Sequence, residues 1–157
     1  MKKILLLIMF LIPFKVVAMS ASSMVAVDLD NDYVYYDVNK DDKRLIASIT
    51  KIMTAIVTIE NIDIDKEITV GEEVLKAYGS AIYINVGEKI TIRDLLYGLI
   101  MRSGNDAAVV LAKNVAGSME GFAHLMNELA SNIGMKNSNF VNAHGLEEND
   151  GSANYST

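Results

Sequence analysis

The sequence predicts an α+β chain, with strands near its start and helices through its middle. Two β-rich runs, Met24–Leu29 and Tyr33–Val38, flank the turn signal Asp30-Asn31-Asp32. Apolar residues then recur at helical spacing in successive segments between residues 91 and 134. Of the 157 residues, 51% are hydrophobic and 22% charged, which is enough to build a core and too apolar for a disordered chain. That length is near the mode for one domain.

Taken in order, the chain opens with Lys2 and Lys3, followed by the unbroken apolar run Ile4–Ile12 and the small residues of Val16-Val17-Ala18. This reads as a secretory signal peptide over 1–18, cleaved after Ala18. Nine residues at about 1.5 Å each cannot cross a hydrocarbon core of roughly 30 Å. An uncleaved N-terminal anchor is the alternative. Residues 19–157 are then expected on the extracytoplasmic side of the envelope, in the periplasm or cell-wall space. Cleavage removes Lys2, Lys3 and Lys15 and no acid, taking the net charge from −6 to −9.

The two runs of 24–38 form a hairpin. Asp28, Asp30 and Asp32 have the spacing that opens a calcium loop, but Tyr33 stands where that loop needs glycine and Asn39 where it needs glutamate. Ser48–Glu60 reads as a helix. Its Ile49, Ile52, Met53, Ile56, Val57 and Ile59 surround most of the circumference, which predicts burial on all sides. Residues 61–90 are mixed: a short strand at Glu67–Val70, a helical turn at Glu72–Lys76, a strand-like run at Ala81–Val86 and a turn at Gly87-Glu88.

Thr91-x-x-Asp94 is a capping-box variant opening a helix with the face Ile92, Leu95, Leu96, Leu99 and Ile100. Ser103-Gly104-Asn105 interrupts it. Asp106–Ala116 is the next helix, ended by Gly117. Ser118 caps a further one with the face Phe122, Leu125, Met126, Leu129 and Ile133, closed by Gly134. From Met135 there is no helical period, and Tyr155-Ser156-Thr157 reads as an end without a terminal element.

Several chemistries are excluded at this stage. There is no cysteine, hence no disulfide, thiolate metal site or cysteine nucleophile. An acidic chain without a basic cluster argues against nucleic acid as a partner. No cluster has metal-ligand spacing, so neither metal nor cofactor is expected. Of the two histidines, His124 lies off the apolar face of its helix and His144 in a polar loop, where a structural role is favoured over that of a base.

Ser48 is the only serine with a lysine three residues on, Lys51, and on a helix i and i+3 share a face. A serine hydroxyl becomes nucleophilic when a base takes its proton, and a lysine is such a base when burial lowers its pKa. The alternative is that Ser48 caps the helix and Lys51 snorkels to solvent. Ser103-Gly104-Asn105 is a second polar element wedged between apolar helices, able to project side chains into a cleft or simply to break the helix.

Ala47-Ser48-Ile49-Thr50-Lys51-Ile52-Met53-Thr54, followed by Ser103-Gly104-Asn105-Asp106-Ala107-Ala108, resembles the serine-type D-Ala-D-Ala carboxypeptidases. These are the low-molecular-mass penicillin-binding proteins, with the fold of the serine β-lactamases. Gly79-Ser80, Thr91–Leu96, Gly117-Ser118 to Met126-Asn127, and Phe140 through His144-Gly145-Leu146 to Tyr155-Ser156-Thr157 extend the likeness from about residue 23 to the end.

The resemblance implies a β-lactamase/DD-peptidase-like α+β fold. It implies Ser48 as nucleophile, Lys51 as general base, and Ser103 as relay of a proton to the departing D-Ala. Asn105 would hold Lys51 and the substrate amide, and the Ser48 N–H would form half of an oxyanion hole. The implied partners are a peptidoglycan stem peptide ending in D-Ala-D-Ala and β-lactam antibiotics as covalent inhibitors.

One motif of the family is absent: no Lys-Thr-Gly or Lys-Ser-Gly occurs. Residues 19–157 are therefore expected to be the N-terminal portion of the catalytic domain, lacking the C-terminal part of the antiparallel sheet. The full active site is not expected to form from them alone. The alternatives are a serine β-lactamase, against which Gly104 and His144-Gly145-Leu146 argue, and a non-catalytic peptidoglycan-binding fragment.

Overall fold

Val25 and Val27 face Val34–Val38 across an antiparallel hairpin of β1 (Met24–Val27) and β2 (Val34–Val38), with a register shift between Ala26 and Val27. The computed structural model describes residues 20–157, so the expected signal peptide lies outside the described residues. The chain divides into a unit ending at Asp42, which holds this hairpin, and a unit spanning Lys43–Thr157. The hairpin turn is tied by its first aspartate. Asp28 accepts from the Asp30 N–H at 2.9 Å, the Asn31 side-chain amide at 3.1 Å and the Tyr35 hydroxyl at 3.2 Å. A carboxylate used in this way is a turn-former.

The second unit runs β3 (Arg44–Leu45), a 3-10 turn (Ala47–Ile49), α1 (Thr50–Asn61), β4 (Glu67–Thr69), a 3-10 turn (Glu72–Lys76), β5 (Lys89–Thr91), α2 (Ile92–Arg102), α3 (Asn105–Ala116), α4 (Met119–Asn132) and β6 (Tyr155–Ser156). Antiparallel pairing joins β3 to β6 and β4 to β5. The end of the chain thus does carry an element: Tyr155 and Ser156 sit opposite Leu45 and Arg44, just ahead of Ser48.

The expected caps form. The Thr91 oxygen accepts from the Asp94 N–H at 3.1 Å while its hydroxyl donates to the Asp94 carboxylate at 2.6 Å. Ser118 accepts from the Gly121 N–H at 3.0 Å. Gly117 and Gly134 follow α3 and α4 with positive φ. The inward stripes of the helices meet in one core, where Leu95, Leu99, Val110, Leu111, Phe122 and Met126 are fully buried. Each such side chain contributes about 1.5–3 kcal/mol by leaving water.

The structure corrects the expectation for the first helix. Its start is a 3-10 turn through Ile49, and α1 is not buried all round. Ile49, Ile52, Ile56 and Ile59 are exposed, while Thr50, Lys51, Thr54 and Thr58 turn inward with Met53 and Val57. The polar side chains can do this because each finds a partner there, which removes the penalty of burying it. A helical wheel carries no information about such partners. Ile52→Ser is accordingly expected to move the urea midpoint by under about 0.5 kcal/mol equivalent, as for other exposed positions.

Candidate active site

Ser48 stands in the middle of the turn Ala47–Ile49, and Lys51 follows in the first turn of α1. Ala47 is held at φ +44°, in the left-handed region, which costs a non-glycine residue of order 1–3 kcal/mol unless packing dictates it. The result is an exposed nucleophile candidate above a buried amine: Ser48 is exposed and Lys51 is 2% exposed. Ser48 makes no side-chain cap and Lys51 does not snorkel, so both bland readings of this pair fail.

Lys51 Nζ lies 3.2 Å from Ser48 Oγ and donates to the His144 carbonyl at 2.8 Å. Burial lowers its pKa below the ordinary lysine value, because a desolvated ammonium is disfavoured against the neutral amine. Ser103 closes α2 in left-handed backbone (φ 55°, ψ 35°), where glycine or asparagine is usual. That geometry turns its hydroxyl onto Ser48 Oγ at 3.0 Å. An open depression of about 480 Å³ lies beside Ser103, walled in part by Tyr83, Met101 and Arg102. Ser48 Oγ thus sits between an amine and a hydroxyl, at a solvent-open edge.

Asn105 begins α3 and is buried. Its N–H donates to the Ser80 carbonyl at 2.7 Å and its side-chain amide to the Tyr78 carbonyl at 2.6 Å. Ser48, Lys51 and Ser103 are therefore brought into one hydrogen-bonded group, whereas Asn105 ties down the 78–80 segment beside it. The partners of Lys51 in this structure are Ser48 and His144, not Asn105.

His144 is 7% exposed, and its Nδ1 accepts from the Leu146 N–H at 3.2 Å, which leaves the ring proton on Nε2, 3.8 Å from Glu148. Burial pushes its pKa down, with Glu148 opposing and Lys51 adding to the fall. The ring packs edge-on against Tyr78 at 6.0 Å, and it is the His144 carbonyl that meets Lys51. His124 is exposed on α4.

Asp106 is the residue that sequence reasoning passed over. It is 3% exposed, and its carboxylate accepts from the N–H groups of Ile82, Tyr83 and Ile84 at 2.8–3.3 Å and of Ala107 at 2.9 Å. Residues 81–86 consequently form no strand: a carboxylate, not a neighbouring strand, takes their amides. An acid inside an apolar helix was the available signal. Asp106→Asn is expected to cost about 2 kcal/mol, the range for charged hydrogen bonds, read as a lower urea midpoint.

The sequence of residues 13–157 matches the family described as D-alanyl-D-alanine carboxypeptidase. The chain belongs to that family. It is 36% identical over 136 residues to the D-alanyl-D-alanine carboxypeptidase DacF of Bacillus subtilis, covering 83% of this chain and 35% of the relative. It is 34% identical over 141 residues to DacC of Escherichia coli, again covering 35% of that protein. The structure superposes on that of the D-alanyl-D-alanine carboxypeptidase DacD from Francisella tularensis with a TM-score of 0.81 at 35% identity, covering 88% of this chain and 34% of the other. The chain thus spans about a third of the length of these relatives. The expected DD-peptidase-like mixed fold holds, and the match is to carboxypeptidases, as Gly104 and the His144-Gly145-Leu146 stretch suggested.

Proposed function

We propose that this chain carries the acylating centre of a serine-type D-Ala-D-Ala carboxypeptidase that trims peptidoglycan stem peptides outside the cytoplasm. One observation carries the reading: in a member of this family, an exposed Ser48 Oγ lies 3.2 Å from a buried Lys51 amine and 3.0 Å from the Ser103 hydroxyl. A buried lysine whose desolvation favours the neutral amine, next to a solvent-facing serine, is what proton abstraction from a hydroxyl needs.

The steps follow from that arrangement. Ser48 Oγ attacks the carbonyl carbon of the penultimate D-Ala as Lys51 Nζ takes the hydroxyl proton. The tetrahedral oxyanion forms next to the Ser48 N–H, one of the donors that the first turn of a helix leaves without an intrahelical partner. The C–N bond then breaks. The proton passes from Lys51 by way of Ser103 to the nitrogen of the departing D-Ala, leaving an ester on Ser48. Water attacks that ester as Lys51 takes its proton; the C–Oγ bond then breaks, Lys51 returns the proton to Ser48 Oγ, and the shortened peptide is released. Asn105 keeps the 78–80 segment in place as the wall along which the substrate amide lies. A β-lactam follows the same first step and stays attached, because its amine remains tethered to the acyl group.

The test is intact-mass analysis of the chain after incubation with benzylpenicillin, followed by peptide mapping. The expected result is a single adduct on Ser48, absent from Ser48→Ala; it would mean that Ser48, Lys51 and Ser103 suffice for acylation even though the third motif of the family is absent from this sequence. An unmodified chain, or an adduct that survives in Ser48→Ala, overturns the reading.

A further inference from the structure

A buried polar network lies behind Lys51, and the chemistry above does not use it. Thr50, Thr54 and Asn142 are fully buried and Asn154 is 1% exposed. The Asn154 side-chain amide donates to Thr50 Oγ1 at 2.9 Å and to the Asn142 carbonyl at 2.8 Å. Its oxygen accepts from the N–H groups of Val141 at 2.7 Å and Asn142 at 3.2 Å. One side chain thereby joins the residue preceding Lys51 to the loop that leads into His144.

Asn142 extends the tie. Its side-chain oxygen accepts from the Gly145 N–H at 2.8 Å and its amide donates to the Leu146 carbonyl at 2.8 Å. Thr54 donates to the Ala143 carbonyl at 2.7 Å. Backbone groups on both sides of His144 are therefore held. A loop buried without a ladder must find such partners somewhere, and here two asparagines supply most of them.

We propose that Asn154 is a positioning residue for Lys51, fixing the 141–145 loop so that the His144 carbonyl stays on Nζ and the amine stays seated beside Ser48. The inference rests on the reading of Lys51 as the base. A neutral amine has two N–H donors and one lone pair. Engaging one N–H with a fixed carbonyl limits its rotation and leaves the lone pair free to meet the Ser48 proton. Hydrogen bonds supply direction as well as volume, which is why a polar network can do this where an equally buried apolar contact cannot.

The test reads Lys51 directly, by NMR titration of the full chain carrying 13C-labelled lysine side chains, with Lys51→Arg assigning the signal. In the unaltered chain Lys51 is expected to titrate at lower pH than the surface lysines. In Asn154→Ala and in Thr50→Val, which deletes only the hydroxyl that Asn154 grips, the midpoint moves up towards theirs as the released loop admits water. Thr58→Val is the control, since Thr58 is equally buried but bonded within its own helix to the Thr54 carbonyl. It should lower the urea midpoint and leave the Lys51 titration in place.

Penicillin acylation should fall on the order of ten- to a hundredfold in the first two variants. An unmoved Lys51 midpoint in folded Asn154→Ala or Thr50→Val overturns the proposal, as does a wild-type Lys51 that titrates with the surface lysines. The outcomes separate from those of the function: no penicillin adduct beside a Lys51 that responds to Asn154 sinks the acylation reading alone.

Discussion

Lys51→Ala is expected to abolish acylation of Ser48, with a fall in the rate of penicillin adduct formation of at least about a hundredfold, the range for a general base. The variant should remain folded by near-UV circular dichroism, because alanine has no charge to bury. The pH dependence of the unaltered chain gives the same assignment a second readout. Only the neutral amine accepts the serine proton, so the rate rises with pH and levels off above the Lys51 pKa. Burial places that pKa below the ordinary lysine value, and the plateau is reached correspondingly earlier.

Linkage fixes the sign for stability. Between the lowered folded pKa and the ordinary unfolded one, the folded chain binds fewer protons than the unfolded chain. Lys51 therefore destabilises the fold below that window, and the penalty fades as pH rises through it. Lys51→Ala should flatten that part of the stability profile. A normally acylated Lys51→Ala protein, or an unchanged profile, removes Lys51 from the role of base.

Gly145→Ala is expected to damage the fold most severely, by about 4 kcal/mol. Gly145 has φ +84°, and a Cβ built there would run into the Ala47 carbonyl and stand 2.9 Å from Thr50 Oγ1. Left-handed strain and overpacking each cost about 1–3 kcal/mol. The clash is with backbone at the residue just before Ser48, so it cannot be relieved by turning a side chain. A drop in urea midpoint accompanied by lost acylation is the expected result. An unchanged midpoint would mean that the 142–145 loop does not press on the Ser48 turn as the structure has it.

Much of this protein was readable in one dimension. α2 and α4 announced themselves through apolar spacing, Thr91 and Ser118 through capping chemistry, and the hairpin through its Asp-Asn-Asp turn. Each is decided within about one helical turn or one hairpin, where chain neighbours are also space neighbours. Ser48 with Lys51 was readable for the same reason. α1 misled, because its outward isoleucines and inward threonines reverse the usual pattern, and the partners of Thr50, Lys51 and Thr54 (Asn154 and the His144 and Ala143 carbonyls) lie far along the chain.

The residue types and spacings determined the order of elements, the caps, the Ser48–Lys51 pairing and the family resemblance, all of which are local properties of the chain. Tertiary structure alone decided that Ser103 reaches Ser48 across 55 residues, that the Asp106 carboxylate holds the 82–84 amides, and that the His144 carbonyl meets Lys51 across 93 residues. Two of those contacts end on backbone amides or a backbone carbonyl, which every residue carries, and the third joins two hydroxyls far apart in the chain, so spacing along the sequence gives no sign of the pairing. Only the packed fold brings them within reach.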